Sequence, residues 1–159
     1  MKEVISILVD DHKKIDAVIT DTKRLMTLSA EESFEKLAHN LLFFLDFTFK
    51  GHHKREEEVL YAWMGKQNPN ADASIMNRIK KEHEDLETMG KKLHHSLVCY
   101  LDKNPDCSTV TVQSDLHDFI VIYLEHIEKE ENFIFMIAEG LKLSSTEEAA
   151  MLARMKATL

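Results

Sequence analysis

The sequence is poor in chain breakers, in cysteine and in basic clusters, and each shortage narrows what the protein can be. Only 4 Gly and 2 Pro occur in 159 residues, which favours long helices with short connections. The 2 cysteines, Cys99 and Cys107, make neither a CxxC pair nor a disulfide framework, so ordinary thiols of a reducing cytosol are expected. No run approaches the roughly 20 apolar residues that span a bilayer. The N-terminal VISILV ends at Asp10 and Asp11, too early for a signal peptide. A cytoplasmic protein without membrane contact is the expectation. There is no Lys/Arg block and no aromatic RNA motif, and 28 acids against 20 bases give a net charge of -8, which argues against a nucleic-acid partner. What remains, 44% hydrophobic and 30% charged, suits a single domain over residues 1–159 with a sizeable core.

Helix punctuation divides that domain. A first helix is expected from about Lys2 to Leu28, and a capping box of Ser29 with Glu32 opens a second that reaches about Lys66. QNPNAD is a turn cluster, a third helix runs to about Leu101, DKNPDCST breaks the chain again, and a fourth reaches about Leu141. Ser145 with Glu148 caps a short fifth helix. The fold class is all-α, an antiparallel up-down-up-down four-helix bundle with a short C-terminal fifth helix. LLFFLDFTF is apolar around nearly the whole second helix, so a second surface should cover it. The fifth helix is one candidate; the interface of a homodimer is the other.

Each long helix carries an apolar stripe at three-four spacing, and each stripe is interrupted by a histidine. The first reads Ile5, Leu8, His12, Ile15, Ile19, Thr22, Met26, and the second Leu45, Phe49, His52, Glu56, Val59, Trp63. The third reads Met76, Ile79, His83, Leu86, Gly90, Leu93, Leu97, and the fourth Val112, Leu116, Phe119, Tyr123, His126, Glu130, Phe133, Ile137. The pattern repeats: GHHKREEEVLY matches YLEHIEKEENFIF, and VDDHKKI matches KKEHEDL. Two related hairpins therefore each supply one lone histidine and one HxxxE pair, whose members share a helix face. In antiparallel order all six groups fall roughly 15–20 Å from one end of the bundle at the rise of an α-helix.

Six buried ionisable groups at one depth need a partner, because each unpaired charge costs several kcal/mol in a marginally stable fold. Imidazole and carboxylate without thiolate suit iron, manganese or zinc, and six groups exceed what one tetrahedral zinc accepts. Two metal ions fit, with Glu56 and Glu130 as candidate bridges. Glu87, one turn past His83, is a further candidate ligand, as is Asp16 after His12. Asp11, Glu57 and Glu131 are read as acceptors for ring N–H groups or as surface charge. Tyr123 is read as a core aromatic with a satisfied hydroxyl, and His39, His53, His94, His95 and His117 as exposed.

DDH ending at His12, HHKREEE, KEH ending at His83 and HIEKEENFIF together resemble the hemerythrin family in its HHE cation-binding branch, over nearly the whole chain. The resemblance implies a non-haem di-iron centre, with manganese or zinc as substitutes, held by His12, His52, Glu56, His83, His126 and Glu130. It also implies a small ligand (a diatomic such as oxygen or nitric oxide, or peroxide) bound for sensing, storage or redox response. The alternative is a redox enzyme turning over the same molecules; a third reading is a metal-free helical interaction protein. Oxygen carriers of the family resemble HxxxH on the third helix, where this chain has His83 with Glu87. Family members often place proline where Ala62 and Met136 stand here, so these helices should run on unbroken.

Overall fold

The computed structural model describes residues 1–26, 31–67 and 73–158, so the Ser29 capping box and the NPNAD part of the turn cluster lie outside the described residues. The described chain is helical. We number the helices α1 (Lys2–Met26), α2 (31–67), α3 (Ala73–Leu101), α4 (109–140) and α5 (Ser145–Ala157). Ser108 caps α4 by accepting from the Thr111 amide. The capping box of α5 is Ser144 with Glu147, one residue earlier than the spacing of Ser145 and Glu148 indicated.

The direction of each helix can be read from the core, which is split into two apolar lobes with the polar layer between them. One lobe holds Ile15, Ile19, Leu45, Phe49, Leu86, Leu93, Phe119 and Tyr123. The other holds Ile5, Leu8, Val59, Leu60, Met76, Ile79, Ile134 and Phe135. Helices α1 and α3 run from the second lobe to the first, whereas α2 and α4 run from the first to the second. With α1 against α2, α2 against α3, α3 against α4 and α4 against α1, this is the expected antiparallel bundle. Complete burial of a Leu, Ile or Phe is worth about 1.5–3 kcal/mol, and both lobes are built from such residues.

Two helices depart from ideal α geometry. Helix α2 passes through π-helical turns at Phe44–Phe49 and Glu56–Tyr61, and α4 through one at Glu130–Ile134. Both helices continue through Ala62 and Met136 without a break. The second turn of α2 and the turn of α4 each begin at the glutamate of an HxxxE pair, in keeping with the frequent siting of π turns at functional positions. The turn in α4 displaces the stripe. Ile134 (1% exposed) takes the inner place that regular spacing gave to Phe133, which is 63% exposed.

The fifth helix does not cover LLFFLDFTF. It packs on α1 and on the π turn at Glu56–Tyr61, placing Met151 and Met155 in the second lobe. Phe43 and Phe47 stay exposed, their rings 4.9 Å apart. A second correction concerns the cysteines: Cys99 and Cys107 are joined in a disulfide. The connection doubles back on itself, Asn104 N–H donating to Cys99 O at 3.2 Å and Cys107 N–H to Asn104 O at 3.0 Å, with Lys103 in the left-handed region at φ 56. That turn brings together two residues whose spacing had no diagnostic value. No helix among the described residues is long and apolar enough to cross a membrane.

Candidate metal centre

The polar layer collects side chains from all four long helices. His12 comes from α1, His52 and Glu56 from α2, His83 from α3, and His126 and Glu130 from α4; none is more than 4% exposed. Their Nε2 atoms face inward in pairs, His12 against His52 at 3.0 Å and His83 against His126 at 3.1 Å. The carboxylates sit between the pairs. Glu56 approaches His52 at 3.4 Å and His83 at 3.5 Å, and Glu130 approaches His12 at 3.4 Å and His126 at 3.2 Å. Each acid thus reaches imidazoles of both hairpins, as a bridge between two positions requires.

The outward nitrogens are held by a reciprocal set of acids that follows the sequence repeat. The acid after each HxxxE glutamate serves the lone histidine of the other hairpin. His12 Nδ1 lies 2.8 Å from Glu131 and His83 Nδ1 lies 2.7 Å from Glu57. The acid before each lone histidine serves the HxxxE histidine of its own hairpin. Glu82 is 3.3 Å from His126 Nδ1, whereas Asp11 faces His52 Nδ1 at 3.8 Å, an ion-pair distance too long for a hydrogen bond. Arg55 and Lys129 orient these two acids, donating to Asp11 at 2.5 Å and to Glu82 at 3.0 Å. A proton kept on Nδ1 leaves the Nε2 lone pair directed into the layer. Glu82 was not singled out from the sequence, although the repeat pairs it with Asp11.

Ionisation follows from this packing. Burial and the neighbouring Glu130 charge push the Glu56 carboxyl well above the ordinary range. Glu130 is equally buried, yet His126, His12 and His83 hold it well below that range. Burial also works against His12 and His83, but Glu130 with Glu131, and Glu130 with Glu57, raise both imidazoles. Burial dominates at His52, lowering it to about 4. It is opposed and overcome at Asp11, which His52, Arg55 and Lys14 bring down to about 2. One environment thus pushes the two carboxylates in opposite directions, and the pair keeps a single proton, on Glu56, until another cation neutralises it.

Other residues fall elsewhere than the sequence indicated. Glu87 lies outside the cluster; it is half exposed and paired with Lys91 at 3.0 Å, because the turn after His83 carries it to the rim. Asp16 is exposed. His53, expected at the surface, is only 8% exposed and stacks on His83 with centroids 4.0 Å apart and planes 8° from parallel. Beside it a cleft of about 360 Å3 opens to the surface. His39, His95 and His117 are exposed, and His94 is half-buried 3.5 Å from Asp46. The Tyr123 hydroxyl has no hydrogen-bond partner among the described residues. Tyr61, which its place in the repeat did not mark, donates its hydroxyl to Glu130.

The layer fits a cation. Among the described residues, both Glu56 oxygens, Glu130 Oε2 and His53 Nε2 are buried without a hydrogen-bond partner, and such groups are rare unless something outside the protein satisfies them. Donor atoms of His12, His52, Glu56 and Glu130 all lie within 4.8 Å of one another, and so do those of His53, Glu56, His83 and His126. Glu56 belongs to both groups. Mixed nitrogen and oxygen donors without thiolate match iron, manganese and zinc chemistry.

No curated protein and no solved structure gives a significant match to the chain. The family model of the hemerythrin HHE cation binding domain matches residues 3–138, a span that takes in all four helices and every residue of the polar layer. The chain belongs to the hemerythrin HHE cation-binding family.

Proposed function

We propose that the protein holds two metal ions, iron where iron is supplied, and through them binds a small ligand such as oxygen, nitric oxide or peroxide for sensing, storage or redox response. The observation that carries this reading is the pair of overlapping donor groups that share Glu56 in a layer with unsatisfied buried oxygens. Iron would supply a change of oxidation state and coordination positions beyond those the side chains fill. His12, His52, Glu56, His83, His126 and Glu130 are the residues that would hold it.

The rest of the chain prepares the layer. The acids Asp11, Glu57, Glu82 and Glu131 orient the rings and make them better donors. Phe135 stacks on His12 with centroids 5.6 Å apart, and Tyr123 lies nearly parallel to His126 at 6.3 Å, so apolar faces limit water at both ends. Purified protein loaded with ferrous iron without air should carry two ions per chain and develop near-ultraviolet and visible absorption on contact with oxygen. A folded preparation with one ion and no such absorption would refute the proposal.

A second reading, turnover of peroxide, oxygen or nitric oxide, is favoured by one contact. The buried Tyr61 hydroxyl on Glu130 places a proton donor at the centre itself. Burial and the Glu130 charge hold that proton well above the usual phenol range, so it leaves only toward a strong base. Comparing peroxide consumption by the wild type and Tyr61→Phe distinguishes binding from turnover: equal, negligible rates would leave binding alone.

A further inference from the structure

We propose that His53 is a metal ligand, the third imidazole of one position, and that it makes the two positions unequal. The inference rests on the two-ion reading above. His53 is 8% exposed and its Nε2 has no hydrogen-bond partner among the described residues. A ring nitrogen of His53 belongs to the donor group completed by Glu56, His83 and His126, all within 4.8 Å of one another. A buried imidazole with an unused lone pair is destabilising unless something accepts it.

The ring is also fixed in place. It lies parallel on His83 at 4.0 Å and meets His126 edge-on at 5.6 Å and Phe49 at 4.4 Å. Stacking alone would be served as well by phenylalanine, which has no nitrogen to leave unpaired. The second donor group holds only two imidazoles, His12 and His52, with Glu56 and Glu130. Helix α3 contributes one imidazole, and α2 contributes two through its consecutive histidines. His53 and His83 also line the surface cleft of about 360 Å3, so an ion arriving there meets the three-imidazole position first. That position therefore fills first and binds more tightly.

Cobalt(II) titration of the metal-free chain, followed by visible absorption and by ions bound per chain, tests the proposal without reference to activity. The wild type should fill in two resolved steps. His53→Phe keeps a ring against His83 and removes the nitrogens. It should weaken the first step by at least the about 10–100-fold seen when an outer partner of a ligand is lost, leaving one ion per chain at concentrations that saturate the wild type. His12→Ala should lose the second step instead. His53→Asn, checked for helicity by circular dichroism, must show the same single loss if the phenylalanine variant misfolds. Two unaltered steps in a folded His53 variant would overturn the assignment while leaving the two-ion reading intact. A wild type that takes up no cobalt would overturn both.

Discussion

Replacing Glu56 by leucine should have opposite effects on stability with and without metal. Glu56 is fully buried, and neither carboxylate oxygen has a hydrogen-bond partner among the described residues. Without metal its carboxyl is pushed well up by burial and by Glu130, so the protein holds a neutral but unsatisfied polar group in its centre. Such a group costs about 1–3 kcal/mol, and leucine of similar size removes it. A gain of about 2 kcal/mol should raise the melting temperature of the metal-free protein by about 4–8 °C in a chain of this length. With metal the order reverses. An ion at a hundredfold excess over its dissociation constant stabilises the native state by about 2.7 kcal/mol per site, and a variant lacking the shared carboxylate forfeits it. Melting curves of wild type and Glu56→Leu, each after chelator treatment and after loading, give four numbers. If the chelator-treated variant melts below the wild type, Glu56 is structural and the reasoning fails.

Three further outcomes follow from other parts of the fold. Arg55→Met should destabilise the protein by about 1.5–3 kcal/mol near neutrality, because it removes the shortest charged hydrogen bond to the buried Asp11 and leaves it Lys14 alone. Asp11 has a depressed value of about 2, so its pairing contributes fully above about pH 4, near the ordinary carboxylate value, and is lost as pH falls through about 2. Urea unfolding between pH 2 and 6 should show the difference between the two proteins shrinking toward the acid end; a constant difference would contradict the pairing. Cys99→Ser should lower stability by about 2–3 kcal/mol, the loop-closure value for so short a loop, and denatured protein purified without reductant should show no titratable thiol. Acid should release the metal, since coordination needs neutral imidazole and ionised carboxylate. A bound ion lowers the apparent pKa of every side chain that holds it, so its stabilisation is present above the ligands' unfolded values and fades as pH falls through the values the ion has lowered, which metal content measured down to about pH 3 will show.

The bundle and most of the polar layer were legible because they depend on periodicity alone. His12, His52, Glu56, His83, His126 and Glu130 interrupt apolar stripes, and regular helices carry stripes inward regardless of detail. Phe133 was misplaced because a π turn inserts an extra residue, an effect of packing with no signature in the spacing. His53 was missed for a related reason. Adjacent residues point about 100° apart on a helix, so a stripe admits His52 and excludes its neighbour, whereas a layer wide enough for two donor groups admits both. The available signal was the HH dipeptide opposite a helix with only one inward histidine. Glu87 shows the converse, since sharing a face with His83 did not bring it to the same depth. The Cys99–Cys107 disulfide depends on a tight turn after α3 that two isolated cysteines cannot reveal.

The central claim is that one buried layer holds two ions through a shared pair of carboxylates. The direct test is metal content per chain, measured after anaerobic loading with ferrous iron and removal of excess, for the wild type, Glu56→Ala, Glu130→Ala and His12→Ala. The wild type should hold two ions, each glutamate variant should lose both, and His12→Ala should lose one. A folded wild type holding a single ion, or a glutamate variant that still holds two, would contradict the claim.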